Sequence, residues 1–555
     1  MLPFIQDAPR LPHPWDGDQA LQGLLRRALP AEALRDMEGT LAEMGGLALD
    51  FHAFQLRDRL NEPRHIPFDP WGRRIDRIEM TPLWAAAERL AAEKGLVATA
   101  YERRHGALSR LHQFALVYLF NASSDVYTCP LAMTDGAAQT LLRSRNEALI
   151  ARAVPRLISR EPETFWTSGQ WMTESSGGSD VGLSQSVAKQ DGDGVWRLWG
   201  RKWFTSAAAS QMALTLARPE GNGPGGKGLA MFYAETRDAE GLPNGLRVNR
   251  LKDKLGTRKL PTAELDLDGM VAIPVQGLED GVRAMAPMLN VTRTWNSITA
   301  ASFLRRGLDL ARDYARRRVA FGAPLSGKPL HLETLAGVAA ESEAALHLAF
   351  RAAAEMGREE TGQGDAALMR LLAPLAKLTT ARQAVAGCSE LLEAFGGAGY
   401  VEDTGLPVLL RDAQVLSIWE GTTNVLSLEL MKGLQAAGFG LYRAEVESCL
   451  EGLTEPRLLD LASLSRRILD RAESWWGQAD EAGARGFALT LGRLLALALL
   501  LRQAQWLLDA EQDGRVLAAA ERFARNGVDL LGAGGAEASR SLAMETFLRH
   551  GRSAE

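Results

Sequence analysis

Residues 417 to 424 read Ser417-Ile418-Trp419-Glu420-Gly421-Thr422-Thr423-Asn424 and place one carboxylate between bulky apolar residues and a glycine turn, late in a long helical region. Desolvation by such neighbours raises a carboxyl pKa and makes the group a useful base. Glu420 is therefore the first candidate for catalysis. A glutamate beside a turn is also a common solvated cap, and the octapeptide alone does not separate the two. A second stretch, Trp171-Met172-Thr173-Glu174-Ser175-Ser176-Gly177-Gly178-Ser179-Asp180, is a run of hydroxyls and glycines. Exposed backbone N–H groups of this kind suit a bound phosphate.

Between and beyond these lie Lys202-Trp203-Phe204-Thr205-Ser206, Lys254-Leu255-Gly256-Thr257-Arg258, Val291-Thr292-Arg293, Arg318 with Phe321-Gly322, and Phe395-Gly396-Gly397-Ala398-Gly399-Tyr400. In this order and at these separations, from about residue 110 to about residue 435, the set resembles the acyl-CoA dehydrogenase flavoprotein family. The resemblance implies FAD as cofactor. Thr173 matches a threonine that contacts the flavin ring and Ser179 a serine that holds a pyrophosphate oxygen. Phe204 stands where a tryptophan usually packs on the isoalloxazine, with Thr205 and Ser206 beside it. Arg318, with Phe321, matches an arginine reaching the FAD pyrophosphate of a neighbouring subunit, which implies an oligomer, expected to be a tetramer. Gly397 and Asn424 fall at further dinucleotide contacts, and Met172, Gly178, Trp419 and Thr422 complete the expected cofactor-binding set.

The reaction implied is removal by Glu420 of the proton α to a thioester carbonyl while the β-hydrogen leaves as hydride to flavin N5. Donors to the thioester oxygen, in this family the backbone N–H of the base and a ribityl hydroxyl, stabilise the enolate-like charge by roughly 3 kcal/mol each. Ile418 and Trp419 are expected to exclude water, and Arg293 to orient the base loop without reacting. The implied partners are an acyl-CoA substrate and an electron acceptor such as an electron-transfer flavoprotein.

Several positions depart from the family pattern: Ser175 for the usual proline, Trp419 for a tyrosine, Asn290 for an aspartate near the CoA adenine, and Pro329 for a glutamine. With Trp-Met-Thr-Glu, Lys-Trp-Phe and Ser-Ile-Trp-Glu-Gly, they resemble the AidB-like branch, whose members carry a C-terminal helical extension and are associated with the response to DNA alkylation. Here the extension has no lysine after Lys432, and Arg466, Arg467, Arg522 and Arg525 are matched by acidic residues. DNA binding needs a concentrated positive excess, so DNA is not the favoured partner. A DNA-associated flavoprotein with vestigial dehydrogenase activity and an acyl-CoA oxidase stand as alternatives. Trp475, Trp476 and Trp506 are expected in a core or subunit interface.

The elements that must position these residues follow from pattern. Length (555 residues) and 46% hydrophobic content suffice for several cores. Residues 1–164 are mainly helical in pattern, with an irregular opening from Pro9 to Asp18 expected on the surface, Arg73-Arg74-Ile75-Asp76 in a solvated turn, and Cys129-Pro130 ending an extended stretch. From 165 to 285, short β-rich runs such as Val195–Trp199, Met212–Ala217, Leu229–Ala234 and Ala263–Leu267 predict antiparallel strands. Helical period returns over 286–440, where Ala301, Leu304, Leu308, Ala311 and Ala315 mark one buried face and Leu368, Leu371, Leu375, Leu378, Val385, Cys388 and Leu392 another. The fold class is α+β: an N-terminal helical domain, a central antiparallel β domain for the flavin, a four-helix-type bundle with the catalytic Glu, and an extra helical domain over 441–555.

Other chemistries find no support. Gly221-Asn222-Gly223-Pro224-Gly225-Gly226-Lys227 has P-loop spacing, but Gly228 replaces the required Ser or Thr and a strand follows. No strand leads into a GxGxxG turn, the eight His form no HExxH pattern, and Cys129, Cys388 and Cys449 lack metal spacing. A net charge of -5 gives no general reason to bind nucleic acid or an anionic membrane. No secretory signal is evident, so a cytoplasmic location is expected. The most apolar window, Leu494–Leu501, lies between Arg493 and Arg502 and is expected to be a buried helix rather than a span.

Overall fold

In this computed structural model, which describes residues 6–532 and 536–546, helices occupy both ends of the chain and strands the middle. The first helices are α1 (Gln19–Ala28), α2 (Ala31–Asp58), α3 (Pro82–Glu93), α4 (Ala98–Glu102), α5 (Ser109–Asn121), α6 (Thr128–Ser144) and α7 (Glu147–Leu157). Thr81 accepts the Trp84 N–H and Pro82 fills the first turn of α3, so that start is written in sequence. Two local expectations fail here and a third holds in part. A hairpin, β1 (Arg64–Phe68) and β2 (Arg74–Glu79), interrupts the helices, so most of Arg73–Asp76 is strand rather than solvated turn. Asp76 is buried there and accepts from His65, Arg74 and the Val248 N–H, the partners a desolvated carboxylate requires. The irregular opening does run at the surface over most of Pro9 to Asp18, but it ends inside the protein, where Asp18 caps α1 and meets Tyr118 and Arg305. Cys129-Pro130 lies in the first turn of α6, where a proline has no intrahelical N–H to lose.

The central strands are β3 (Ser168–Trp171), β4 (Val187–Gln190), β5 (Trp196–Ser206), β6 (Met212–Pro219), β7 (Ala230–Glu235), β8 (Leu246–Leu251) and β9 (Thr262–Pro274). They run in the order β3-β6-β4-β5-β9-β7, with β8 on β9 and a β6–β7 pairing that closes the ring. Most pairs are antiparallel, but β3–β6 and β4–β6 are parallel, which corrects the all-antiparallel expectation. Short strand runs carry no record of direction once their connections exceed a hairpin. The glycine-rich 221–227 stretch joins antiparallel β6 and β7, as a hairpin loop should.

After α8 (Gly281–Ala284) comes α9 (Ala286–Arg317), then a two-residue ladder β10 (Val319–Ala320) and β11 (Ala323–Pro324). The bundle continues with α10 (Pro329–Glu360), α11 (Ala366–Ala394), α12 (Pro407–Leu416) and α13 (Thr423–Ala437). Ala301, Leu304, Leu308, Ala311 and Ala315 are all buried, as are Leu368, Leu371, Leu375, Leu378 and Cys388. The extension adds α14 (Phe439–Leu450), α15 (Pro456–Trp476), α16 (Ala484–Glu511), α17 (Arg515–Arg525) and α18 (Ala536–Met544).

By length and hydropathy α16 could cross a bilayer, contrary to the reading of its short central window, yet 78% of its apolar window is buried inside the protein. It packs on α10, α11 and α13. A Cβ at Gly492 would stand 1.8 Å from Thr379 Oγ1, so α16 and α11 approach as closely as a glycine allows. Trp475 and Trp476 stack on Phe487 at 4.6 and 5.8 Å, and Trp506 is partly buried against the same core.

Candidate active site

Glu420 sits in the link between α12 and α13. It takes a left-handed backbone (φ 56°), followed by Gly421 at φ 103°. A β-carbon makes that conformation costly, so the turn must be held from outside. Arg293, early in α9, donates through Nε to the Glu420 carbonyl at 3.2 Å and pairs with Glu429 at 2.6 Å. Lys377 on α11 donates to the Gly421 carbonyl at 2.6 Å. Thr422 then caps α13 by accepting the Val425 N–H. The carboxylate itself accepts from Thr292 Oγ1 at 2.7 Å and lies 3.5 Å from Gln170 Nε2, while Gln170 Oε1 is buried without a partner. Among the described residues the Glu420 N–H meets no acceptor, which leaves it available to a ligand oxygen.

The flanking residues divide. Trp419 packs partly into the core and donates from Nε1 to Asn296. Ile418 is 60% exposed, so it does not cover Glu420 within one chain, contrary to expectation. Lys377 is fully buried, and burial brings its ammonium down to about 7, with Glu420 pulling it up and Arg293 pushing it down.

The second half of the site is the loop after β3. Its organiser is Glu174, a residue to which the motif pattern assigns no role. Glu174 is buried, pairs with Lys202 of β5 at 2.7 Å, and accepts the N–H groups of Gln185 and Ser186, so both ends of the loop close on one carboxylate. Burial alone would raise Glu174; the charge of Lys202 and these hydrogen bonds outweigh it and hold the carboxyl below its usual value. Lys202 also donates to the Leu216 carbonyl.

Around this anchor, Gly178 and Ser179 are exposed on the loop. A Cβ at Gly178 would press on Thr173 Oγ1 at 2.7 Å, so glycine keeps that hydroxyl accessible. Phe204 of β5 is 42% exposed, with Lys252 Nζ 5.6 Å from its ring centroid. Thr205 instead points into the sheet, its hydroxyl spent on the Ala263 carbonyl, and Ser206 Oγ lies 3.2 Å from Thr262 Oγ1. Met172 is buried in the core behind the strand, which leaves only its backbone for a cofactor. An accessible hydroxyl, a partly exposed aromatic ring and a capped helix N-terminus fit a flavin dinucleotide.

Arg318, Phe321 and Gly397 gather elsewhere. Tyr314 donates to the Phe395 carbonyl at 3.2 Å, bringing the end of α9 beside the 396–400 turn. Phe321 there is 98% exposed and Gly397 also faces outward. Asn424 accepts from Arg485 of α16 at 2.9 Å, a contact between the base turn's helix and the extension.

Comparison with known proteins agrees along the chain. The acyl-CoA dehydrogenase C-terminal domain family matches residues 279–435, its middle domain family 169–270, and the N-terminal domain family of the adaptive response protein AidB 11–163. Acyl-CoA dehydrogenase family member 11 of Caenorhabditis elegans is 39% identical over 529 residues, 90% of this chain and 86% of that protein. The chain belongs to the acyl-CoA dehydrogenase family. Its members are oxidoreductases and flavoproteins, and the AidB protein of Escherichia coli strain K12 is 31% identical over 73% of this chain and 74% of its own. Among solved structures, C. elegans ACDH-11 in complex with C11-CoA superposes with a TM-score of 0.94 at 35% identity, covering 99% of this chain and 98% of that one. The apo-form of Bd2924 gives 0.85 at 45% identity, covering 90% and 100%. This acyl-CoA dehydrogenase thus shares its extension with C. elegans ACDH-11, although the domain families end at 435.

Proposed function

We propose that this acyl-CoA dehydrogenase catalyses FAD-dependent α,β-dehydrogenation of an acyl-CoA thioester, with Glu420 as the base. The observation that carries it is the Glu420 turn: a carboxylate oriented by Thr292, beside an unengaged backbone N–H suited to a thioester oxygen. When bound, FAD supplies the acceptor for the hydride that leaves the β-carbon. Thr173, Gly178, Ser179, Phe204, Thr422 and Asn424 would hold the cofactor, and Glu420 takes the α-proton at its carboxylate. Arg293 and Thr292 keep that carboxylate oriented and do not react.

An oligomer, taken to be a tetramer, belongs to the same proposal. α9 is 32 residues long, about 48 Å at 1.5 Å per residue, with Arg293 near its start and Arg318 just past its end. That separation supports a role for Arg318, Phe321 and Gly397 in binding the cofactor of a second subunit. An electron-transfer flavoprotein is the proposed acceptor of electrons.

The extension's arginines support packing over DNA contact. Arg466 pairs with Glu447 at 3.0 Å, Arg493 with Glu341 at 2.8 Å, Arg515 with Glu343 at 2.6 Å, and Arg522 with Glu333. Anaerobic bleaching of the purified yellow protein by straight and branched acyl-CoAs tests the proposal. Wild type should bleach with some of them, and Glu420→Gln should retain FAD without bleaching. Rapid bleaching of that variant by the same acyl-CoA removes Glu420 from the mechanism.

A further inference from the structure

Two consecutive carbonyls of the base turn are held by cations from two different helices. Arg293 of α9 holds that of Glu420, and Lys377 of α11 holds that of Gly421. The two cations are not equivalent. Arg293 is neutralised by a bidentate contact with Glu429. Lys377 has no carboxylate within ion-pair range among the described residues, although it is fully buried on a helix whose neighbouring positions, Leu375, Ala376 and Leu378, are apolar core. Burying an ammonium without a paired anion is costly, and leucine or methionine would serve packing better. The ammonium is therefore retained for what it touches.

We propose that Lys377 is a positioning residue for the dehydrogenation, fixing the Gly421 carbonyl so that the Glu420 carboxylate and N–H face the substrate, with its own cationic group set behind the turn. This rests on Glu420 being the base. The charged groups facing Lys377 are Glu420 and Arg293, the latter offset by Glu429. With Glu420 ionised and Lys377 protonated, these four groups sum to zero. When Glu420 takes the α-proton the cluster becomes singly positive, which favours release of that proton from the Glu420 carboxyl to water once product has left and returns the cluster to zero charge.

The test uses the flavin-loaded enzyme with a bleaching acyl-CoA and compares Lys377→Met, Lys377→Gln and Lys377→Arg, with Glu420→Gln alongside. In Lys377→Met, flavin content and KM should stay within about twofold of wild type while the bleaching rate at pH 7 falls about tenfold or more, the scale expected for a displaced reacting group. The acid limb of its rate profile should move to higher pH by about one unit, as expected when a neighbouring cation is lost. Lys377→Arg should keep the limb in place. Lys377→Gln, which retains a donor but no charge, should show the same limb shift with a smaller loss of rate, and it decides the matter if the methionine variant does not fold. A role in packing alone would change melting temperature without moving the limb, and that result overturns the proposal. Silent Glu420→Gln together with a wild-type profile in Lys377→Met overturns the proposal alone, whereas bleaching by Glu420→Gln overturns the function on which it rests.

Discussion

Replacing Glu174 by glutamine leaves the fully buried Lys202 ammonium without its anion. At 2.7 Å the gross attraction is about 6 kcal/mol with an effective dielectric constant near 20. Part of that is regained by the amide's own hydrogen bond, and breaking one side of a buried pair costs roughly 3–5 kcal/mol in practice. The loss falls on the loop after β3, proposed to hold the flavin, because the N–H groups of Gln185 and Ser186 close on the same carboxylate. Glu174→Gln should therefore release flavin at lower urea concentration than wild type, read by the rise in free-flavin fluorescence, before the helical signal is lost. The double variant Glu174→Gln/Lys202→Met removes both charges and should recover more than half of the lost midpoint. The carboxyl is held below its usual value, so the stabilisation is present at neutral pH and fades as acid protonates the folded carboxylate. The wild-type advantage over Glu174→Gln should thus shrink below about pH 4. Equal midpoints for wild type and the single variant at pH 7, or a double variant worse than the single, would refute this account of the loop.

Arg318→Ala should lower flavin occupancy and destabilise the assembly, since a guanidinium–pyrophosphate contact between subunits would be lost; unchanged occupancy and mass in solution reject it. Asp412, buried and raised to about 7 by its burial, costs stability as pH climbs from about 4 to 7. Asp412→Asn keeps an acceptor for the Thr257 N–H and should raise the melting temperature at pH 8 and by less at pH 5, a trend that thermal melts at the two pH values check directly. Duplex DNA should bind no better than about 10⁻⁴ to 10⁻⁶ M at physiological salt. Sub-micromolar binding that Arg466→Ala/Arg467→Ala abolishes, measured with a fluorescent duplex over several salt concentrations, would instead favour the DNA-associated reading.

Glu420 and the 171–180 loop were legible as candidates because each is a short run whose residue types carry their own chemistry, whereas Arg293 was legible only through the family resemblance. Thr292, Lys377 and Gln170 were not, since each lies in an ordinary helix or strand sequence and meets Glu420 only through tertiary packing. Lysine in an apolar helix was the one available signal for Lys377. The hairpin at 64–79 escaped a helical reading because its reason is Asp76 docking on β8, a contact across 172 positions. Ile418 misled for a related cause: apolar character predicts burial, but its side chain points out of the single chain. The parallel pairings of β6 were likewise invisible, as strand direction is set by the path between strands.

The packing of α16 fixes an order of events during synthesis. Its apolar surface fits a groove on α10, α11 and α13, closed tightly where Gly492 meets Thr379. The ribosome delivers those three helices first, so the groove stands open until the last part of the chain emerges. A chain ending before Ala484 would keep that groove open for good and should be held by chaperones or aggregate, even though every residue assigned to the reaction is already present in it.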